Sequence, residues 1–130
     1  MAGDEVTRNG RSPVKSFRDL IVWQRANELA ISIYKSTQPF PREELFGLTS
    51  QLRRSLVSIP SNIAEGQGRL TTGEFRQFLG MARGSNCELQ AQLEIARALE
   101  FGDGARIKRA ESLSVEAGKM INAILLSLNE

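Results

Sequence analysis

Histidine is absent from this 130-residue chain. That excludes imidazole-based zinc sites, the Glu-x-x-His di-iron sites of helical bundles and any catalytic dyad with an imidazole base. Cysteine occurs once, at Cys87, so the chain cannot form an internal disulfide. A reducing compartment is the matching expectation. No segment reaches the roughly 18 uninterrupted apolar residues of a membrane span. Residues 1–16 are polar and lack the apolar stretch of a signal peptide. A cytoplasmic location without a membrane partner is therefore expected. Alternating strand patterns of useful length and internal repeats are also missing.

What is present is amphipathic helix. Residues 1–15 contain Gly3, Gly10 and Pro13 with mixed charges, too little apolar area to offset ordering entropy, and read as a disordered arm. Residues 16–130 read as one domain, long enough to bury a core without disulfide or metal staples. A first helix opens at a capping box, Ser16 with Asp19, and carries Val22, Trp23, Ala26, Leu29, Ala30, Ile33 and Tyr34 on one face. A second starts at Pro41, with Glu43 and Glu44 in its first turn and a stripe of Leu45, Leu48, Leu52, Leu56, Ile59 and Ile63. Pro60 interrupts that stripe. The pattern stays in phase through Ile63, which predicts a kink rather than a break. Thr71 and Glu74 form a second capping box, opening a helix with Phe75, Phe78, Leu79, Ala82, Leu89, Leu93 and Ala96 inward. Gly102 and Asp103 mark a stop and a new N-cap. The fourth helix, from about residue 104 to 128, has a stripe of Ile107, Ala110, Leu113, Ala117, Met120, Ile121, Ile124 and Leu128. Four such helices on short loops predict an all-α, antiparallel up-down-up-down four-helix bundle.

The third helix has a second apolar face. Opposite Ala82 lie Gly80, Gly84, Cys87, Ala91, Ile95 and Ala98, a heptad-like seam of small and apolar residues. A helix apolar on two opposite sides is expected to be buried on both. The seam is either a contact between copies of the chain or an internal packing feature in which Gly84 marks a bend. Behind the leucines of helix two, Arg54, Val57, Ser58, Ser61 and Glu65 form a small, mixed face, suited to an oligomer contact or to solvent.

Several stretches together resemble a known family. They are FRDLIVWQRA at 17–26, FPREE at 40–44, QLRR at 51–54, SIPSNIAEG at 58–66, FRQF at 75–78, ARGS at 82–85 and EL at 88–89. The chain resembles the 23S rRNA-intervening-sequence proteins, the S23-type four-helix bundle proteins, over about residues 16–128. The resemblance implies a homopentameric bundle with no established enzymatic activity, whose family name reflects gene location rather than a demonstrated role. It also implies kinship with the accessory variability proteins of diversity-generating retroelements, which bind nucleic acid and associate with a reverse transcriptase.

Charge leaves the partner open. The net charge is +2 with a pI of about 9.0, and arginine outnumbers lysine 13 to 4. Arginine suits bidentate contacts to phosphate or carboxylate, but so small a net charge does not itself argue for nucleic acid. Arg53, Arg54, Arg69, Arg76 and Arg83 lie on helices two and three and the turn between them. They form either a phosphate-binding surface, with Arg69 and Arg76 foremost, or ion pairs with Glu65, Glu74, Glu88 and Glu94. Arg53 and Arg83 are the candidates for pairing. Arg106, Lys108 and Arg109 begin helix four as a solvated cluster or a phosphate or partner contact. Asn62, just after Pro60, is read as a structural group for the carbonyl that the proline frees. Cys87 has no histidine to activate it and reads as a buried thiol. No carboxylate pair has metal-ligand or acid–base spacing, so no cofactor, no metal and no catalytic site are expected. The expected function is a homo-oligomeric accessory protein that binds DNA, RNA or a ribonucleoprotein, in one case with a reverse transcriptase. The alternative is a protein–protein scaffold.

Overall fold

The computed structural model describes residues 14–128, with four α-helices: α1 (Ile21–Ser36), α2 (Leu48–Gln67), α3 (Thr72–Ala98) and α4 (Gly104–Leu128). Most of the expected N-terminal arm lies outside the described residues. Within the described residues, the Lys15 backbone amide donates to Asp19 Oδ2 at 2.9 Å.

The helices close a ring of neighbours: α1 lies against α2 and α4, α2 against α3, and α3 against α4. Side-chain pairs fix the directions. Ser55 meets Glu88 and Ser58 meets Ser85, so positions fall along α3 as they rise along α2. Asn86 meets Ser114 and Arg97 meets Glu111, giving the same antiparallel relation between α3 and α4. The core takes Leu29, Ile33, Leu52, Leu56, Ile59, Ile63, Phe75, Leu79, Leu89, Leu93, Ile107 and Ile121, all fully buried. Each such side chain contributes about 1.5–3 kcal/mol through the apolar area it removes from water. This is the predicted bundle, with the predicted stripes inward.

Local chemistry explains the ends. The Ser16 and Asp19 capping box is present, but it caps a 3-10 turn (Phe17–Asp19), and α1 proper starts at Ile21. Thr71 accepts from the Glu74 amide at 3.1 Å and starts α3. Gly102, at φ +72°, ends the α3–α4 connection where a Cβ would lie 2.8 Å from the Phe40 ring. Asp103 then caps α4 by accepting from the Ala105 amide at 2.9 Å.

Two expectations about helix two need correction. The segment after Pro41 is a separate 3-10 turn (Arg42–Glu44), and α2 begins only at Leu48. Gly47 interrupts the helix with φ −112° and ψ −116°, while Glu44 Oε1 accepts from the Leu48 amide at 3.2 Å. Leu45, expected in the inward stripe, is therefore exposed, and Phe46 beside it is 93% exposed. The other expectation, passage through Pro60, stands in part. The helix continues without a break and Pro60 is buried. Asn62 Nδ2, however, donates to the Ser58 carbonyl at 2.8 Å and to Ser58 Oγ at 2.9 Å. The carbonyl that Pro60 deprives of its donor is four residues back, at Leu56. Asn62 is a structural group, as expected, but serves a different acceptor.

Tyr34 also departs from its predicted core position. It lies at the edge of the α1 stripe, 46% exposed, and its ring carries the Arg53 guanidinium at 4.3 Å. Trp23 is half-buried against the core, edge-on to Phe17 at 4.9 Å.

Candidate nucleic-acid interface and assembly face

The seam on α3 faces outward. Gly80, Gly84, Cys87, Ala91, Ile95 and Ala98 are all exposed, with Met81 and Ile95 about half exposed. A Cβ built at Gly73, Gly80 or Gly84 meets nothing within 4 Å. Internal packing therefore does not explain these glycines, and α3 runs unbroken past Gly84. Each glycine costs about 1 kcal/mol relative to alanine in a helix interior. Gly66 is the contrast. A Cβ there would sit 2.8 Å from Phe78 Cβ and 3.1 Å from Phe75 Cδ1, so this glycine sets the close approach of α2 to α3. The buried thiol expected at Cys87 is instead exposed, because position 87 belongs to the outward face.

The arginines divide differently from the sequence expectation. Arg69, a leading phosphate candidate, pairs with Glu65 at 3.5 Å and lies over the Phe78 ring at 4.7 Å. One helical turn separates the two partners in that ion pair, and the neighbouring ring holds the guanidinium. Arg83, expected to pair, is exposed and makes no ion pair among the described residues, and the same holds for Arg54 and Arg76. Two of the carboxylates expected to neutralise them are engaged elsewhere. Glu74 accepts from Thr71 Oγ1 at 3.0 Å and Glu88 from Ser55 Oγ at 2.7 Å. Arg53, also expected to pair with a carboxylate, is instead held by Thr37 Oγ1 at 3.0 Å and the Tyr34 ring.

The cations do not form one patch. Counting from the Asn86–Ser114 contact, Arg76 lies toward one end of the bundle and Arg106 toward the other, roughly 27 Å apart along the axis. Arg106, Lys108 and Arg109 are exposed and form a separate cluster. The Arg25–Glu28 and Arg25–Glu116 pairs, at 3.2 and 3.4 Å, are exposed on both sides and contribute little to stability, whereas Arg97 meets a mostly covered Glu111 at 3.0 Å.

The α2–α3 junction carries a polar row that periodicity alone does not reveal. Ser55 and Ser58 of α2 meet Glu88 and Ser85 of α3, and Asn62 joins the row by donating to Ser58 Oγ on its own helix. Deeper in, Asn86 Nδ2 donates to the Ser114 carbonyl at 2.9 Å. The signal for Asn86 was its phase, four residues after Ala82 and three before Leu89, a polar residue in a core stripe. No group of histidine, cysteine or acidic residues suited to a metal ion occurs among the described residues. No described helix is long and apolar enough to cross a membrane.

Fold and surface define a four-helix bundle protein whose third helix offers a small-residue outer face. The chain matches the model of the 23S rRNA-intervening sequence protein family over residues 18–123, and it belongs to that family. Its fold is similar to the 1.70 Å crystal structure of a protein of unknown function from the S23 ribosomal protein family of Bacteroides thetaiotaomicron VPI-5482. That similarity has a TM-score of 0.72 at 23% identity, covering 81% of this chain and 98% of the other. No curated protein matches the chain.

Proposed function

We propose that this protein is a non-enzymatic accessory factor that self-associates through the outer face of α3 from Gly84 to Ala98, which leaves the face before Gly84 open, and binds the phosphate backbone of nucleic acid through unpaired arginines. The observation that carries the reading is the α3 surface itself. Its glycines touch nothing within the subunit, and beside them Arg76 and Arg83 lack carboxylate partners among the described residues. A homo-oligomer, pentameric on the family resemblance, would repeat that cationic surface around its axis. Contacts of this kind tolerate sequence and weaken with salt through counterion release. The affinity for DNA or RNA would place the protein beside a nucleic-acid enzyme such as a reverse transcriptase, in a reducing, cytoplasmic setting.

The separation of the cations into two groups favours a second reading, a protein scaffold without a nucleic-acid role. Fluorescence anisotropy with labelled duplex DNA, single-stranded DNA and structured RNA, titrated with salt, decides between them. Binding at micromolar concentration or tighter that falls steeply with salt supports the first reading. Absence of binding at low salt leaves the scaffold.

A further inference from the structure

Along the N-terminal part of α3, Gly73, Arg76, Gln77, Gly80 and Arg83 line one open depression of about 380 Å³, with Leu125 of α4 as its other wall. Resting on the nucleic-acid reading above, we infer that this depression is the strand-binding groove of the subunit, and that Arg76 and Arg83 hold the phosphodiester backbone of single-stranded nucleic acid in it.

Shape and charge agree. The lining residues on α3 span eleven positions, about 15 Å of helix, so the depression is a trough. Gly73 and Gly80 leave its floor bare, and a Cβ at either would meet no protein atom within 4 Å. A strand can therefore approach the helix backbone. Arg76 and Arg83 are seven positions apart on one flank, about 10 Å along the axis, and neither has an ion-pair partner among the described residues. Two arginines at positions so spaced can reach two charges of one strand, whereas a single small anion would remain hydrated in an open trough. Each guanidinium presents a planar fork of donors that fits phosphate oxygens. The lining contains no aromatic ring. Base stacking is thus not available, and recognition rests on the backbone and tolerates any sequence. Arg106, Lys108 and Arg109 are not part of the lining.

The test uses the full chain with two labelled probes of equal length, oligothymidylate and a phosphodiester strand without bases. Both are expected to bind with similar affinity. Arg76→Ala and Arg83→Ala are each expected to weaken binding about tenfold, as for loss of a charge-assisted contact. Each should also lower the slope of log affinity against log salt by about 0.7. The triple variant Arg106→Ala, Lys108→Ala, Arg109→Ala should bind as wild type, and light scattering should give the wild-type mass for every variant. Wild-type binding that survives both groove substitutions overturns the groove and leaves the nucleic-acid reading standing. Failure of the wild type to bind either probe at low salt overturns the groove, and it overturns the nucleic-acid reading too when duplex DNA and structured RNA also fail to bind. A changed mass in the groove variants makes the trough a contact between copies and overturns the inference.

Discussion

Asn86 and Ser114 hold each other across the α3–α4 interface by two hydrogen bonds, Asn86 Nδ2 to the Ser114 carbonyl at 2.9 Å and Ser114 Oγ to Asn86 Oδ1 at 2.6 Å. Both residues are buried, and Gly118 leaves room for the amide, since a Cβ there would lie 3.0 Å from Asn86 Nδ2. Removing one partner strands the other without water. Asn86→Ala should lower unfolding stability by about 1–3 kcal/mol. Combining it with Ser114→Ala should cost less than the sum of the two single changes, which urea denaturation of all four proteins would measure.

Gly66 and Gly84 make a matched pair for testing which glycines the fold itself requires. Gly66→Ala drives a methyl into Phe78 and Phe75 and is expected to destabilise by about 1–3 kcal/mol through overpacking. Gly84→Ala meets open space within the subunit and is expected to stabilise the isolated subunit by up to about 1 kcal/mol through helix propensity. Thermal melts at concentrations low enough to dissociate any assembly would compare them. A melting point for Gly66→Ala at or above wild type would sink the close-approach argument.

The outer face of α3 is tested by bulk and by charge. Gly84→Leu and Ala91→Arg should each reduce the mass measured by light scattering while leaving helicity by circular dichroism largely unchanged, because both positions are exposed in the subunit. Wild-type mass in both variants would remove α3 as the assembly face.

Arg53 joins α2 to the end of α1 through the Tyr34 ring and Thr37 Oγ1. Lysine keeps the charge but loses the planar stack and the Nε–H donor. Arg53→Lys is expected to cost about 1 kcal/mol, the scale of one such cation–π contact plus a neutral-acceptor hydrogen bond. In a denaturation cycle, the cost of Arg53→Lys should fall when Tyr34→Leu is already present, leaving the share that belongs to the Thr37 hydrogen bond. An undiminished cost would show that the ring contributes nothing to holding the guanidinium.

The gaps between sequence and structure have separate physical causes. Leu45 had the right phase for the α2 stripe, yet Gly47 broke the helix before that phase could apply. Tyr34 sat at the stripe's margin, where a neighbouring arginine offered a better surface than the core. Arg69 and Arg83 looked alike in sequence. Glu65 and Phe78 are positioned to hold Arg69, and no carboxylate among the described residues pairs with Arg83.

The sequence by itself determined the four helices, their inward faces, the caps at Ser16, Thr71 and Asp103, and the passage through Pro60. Helical periodicity and capping act between residues only a few positions apart, so they are legible locally. Only the tertiary structure decided which arginines stay free of ion pairs, why Gly66 must be glycine while Gly84 need not be, and that Arg76 and Arg83 share a trough with Leu125. The Asn86–Ser114, Ser58–Ser85 and Ser55–Glu88 contacts join residues 28, 27 and 33 positions apart. Their existence depends on the register in which antiparallel helices settle, and that register is set by how the whole core packs rather than by any local stretch of chain.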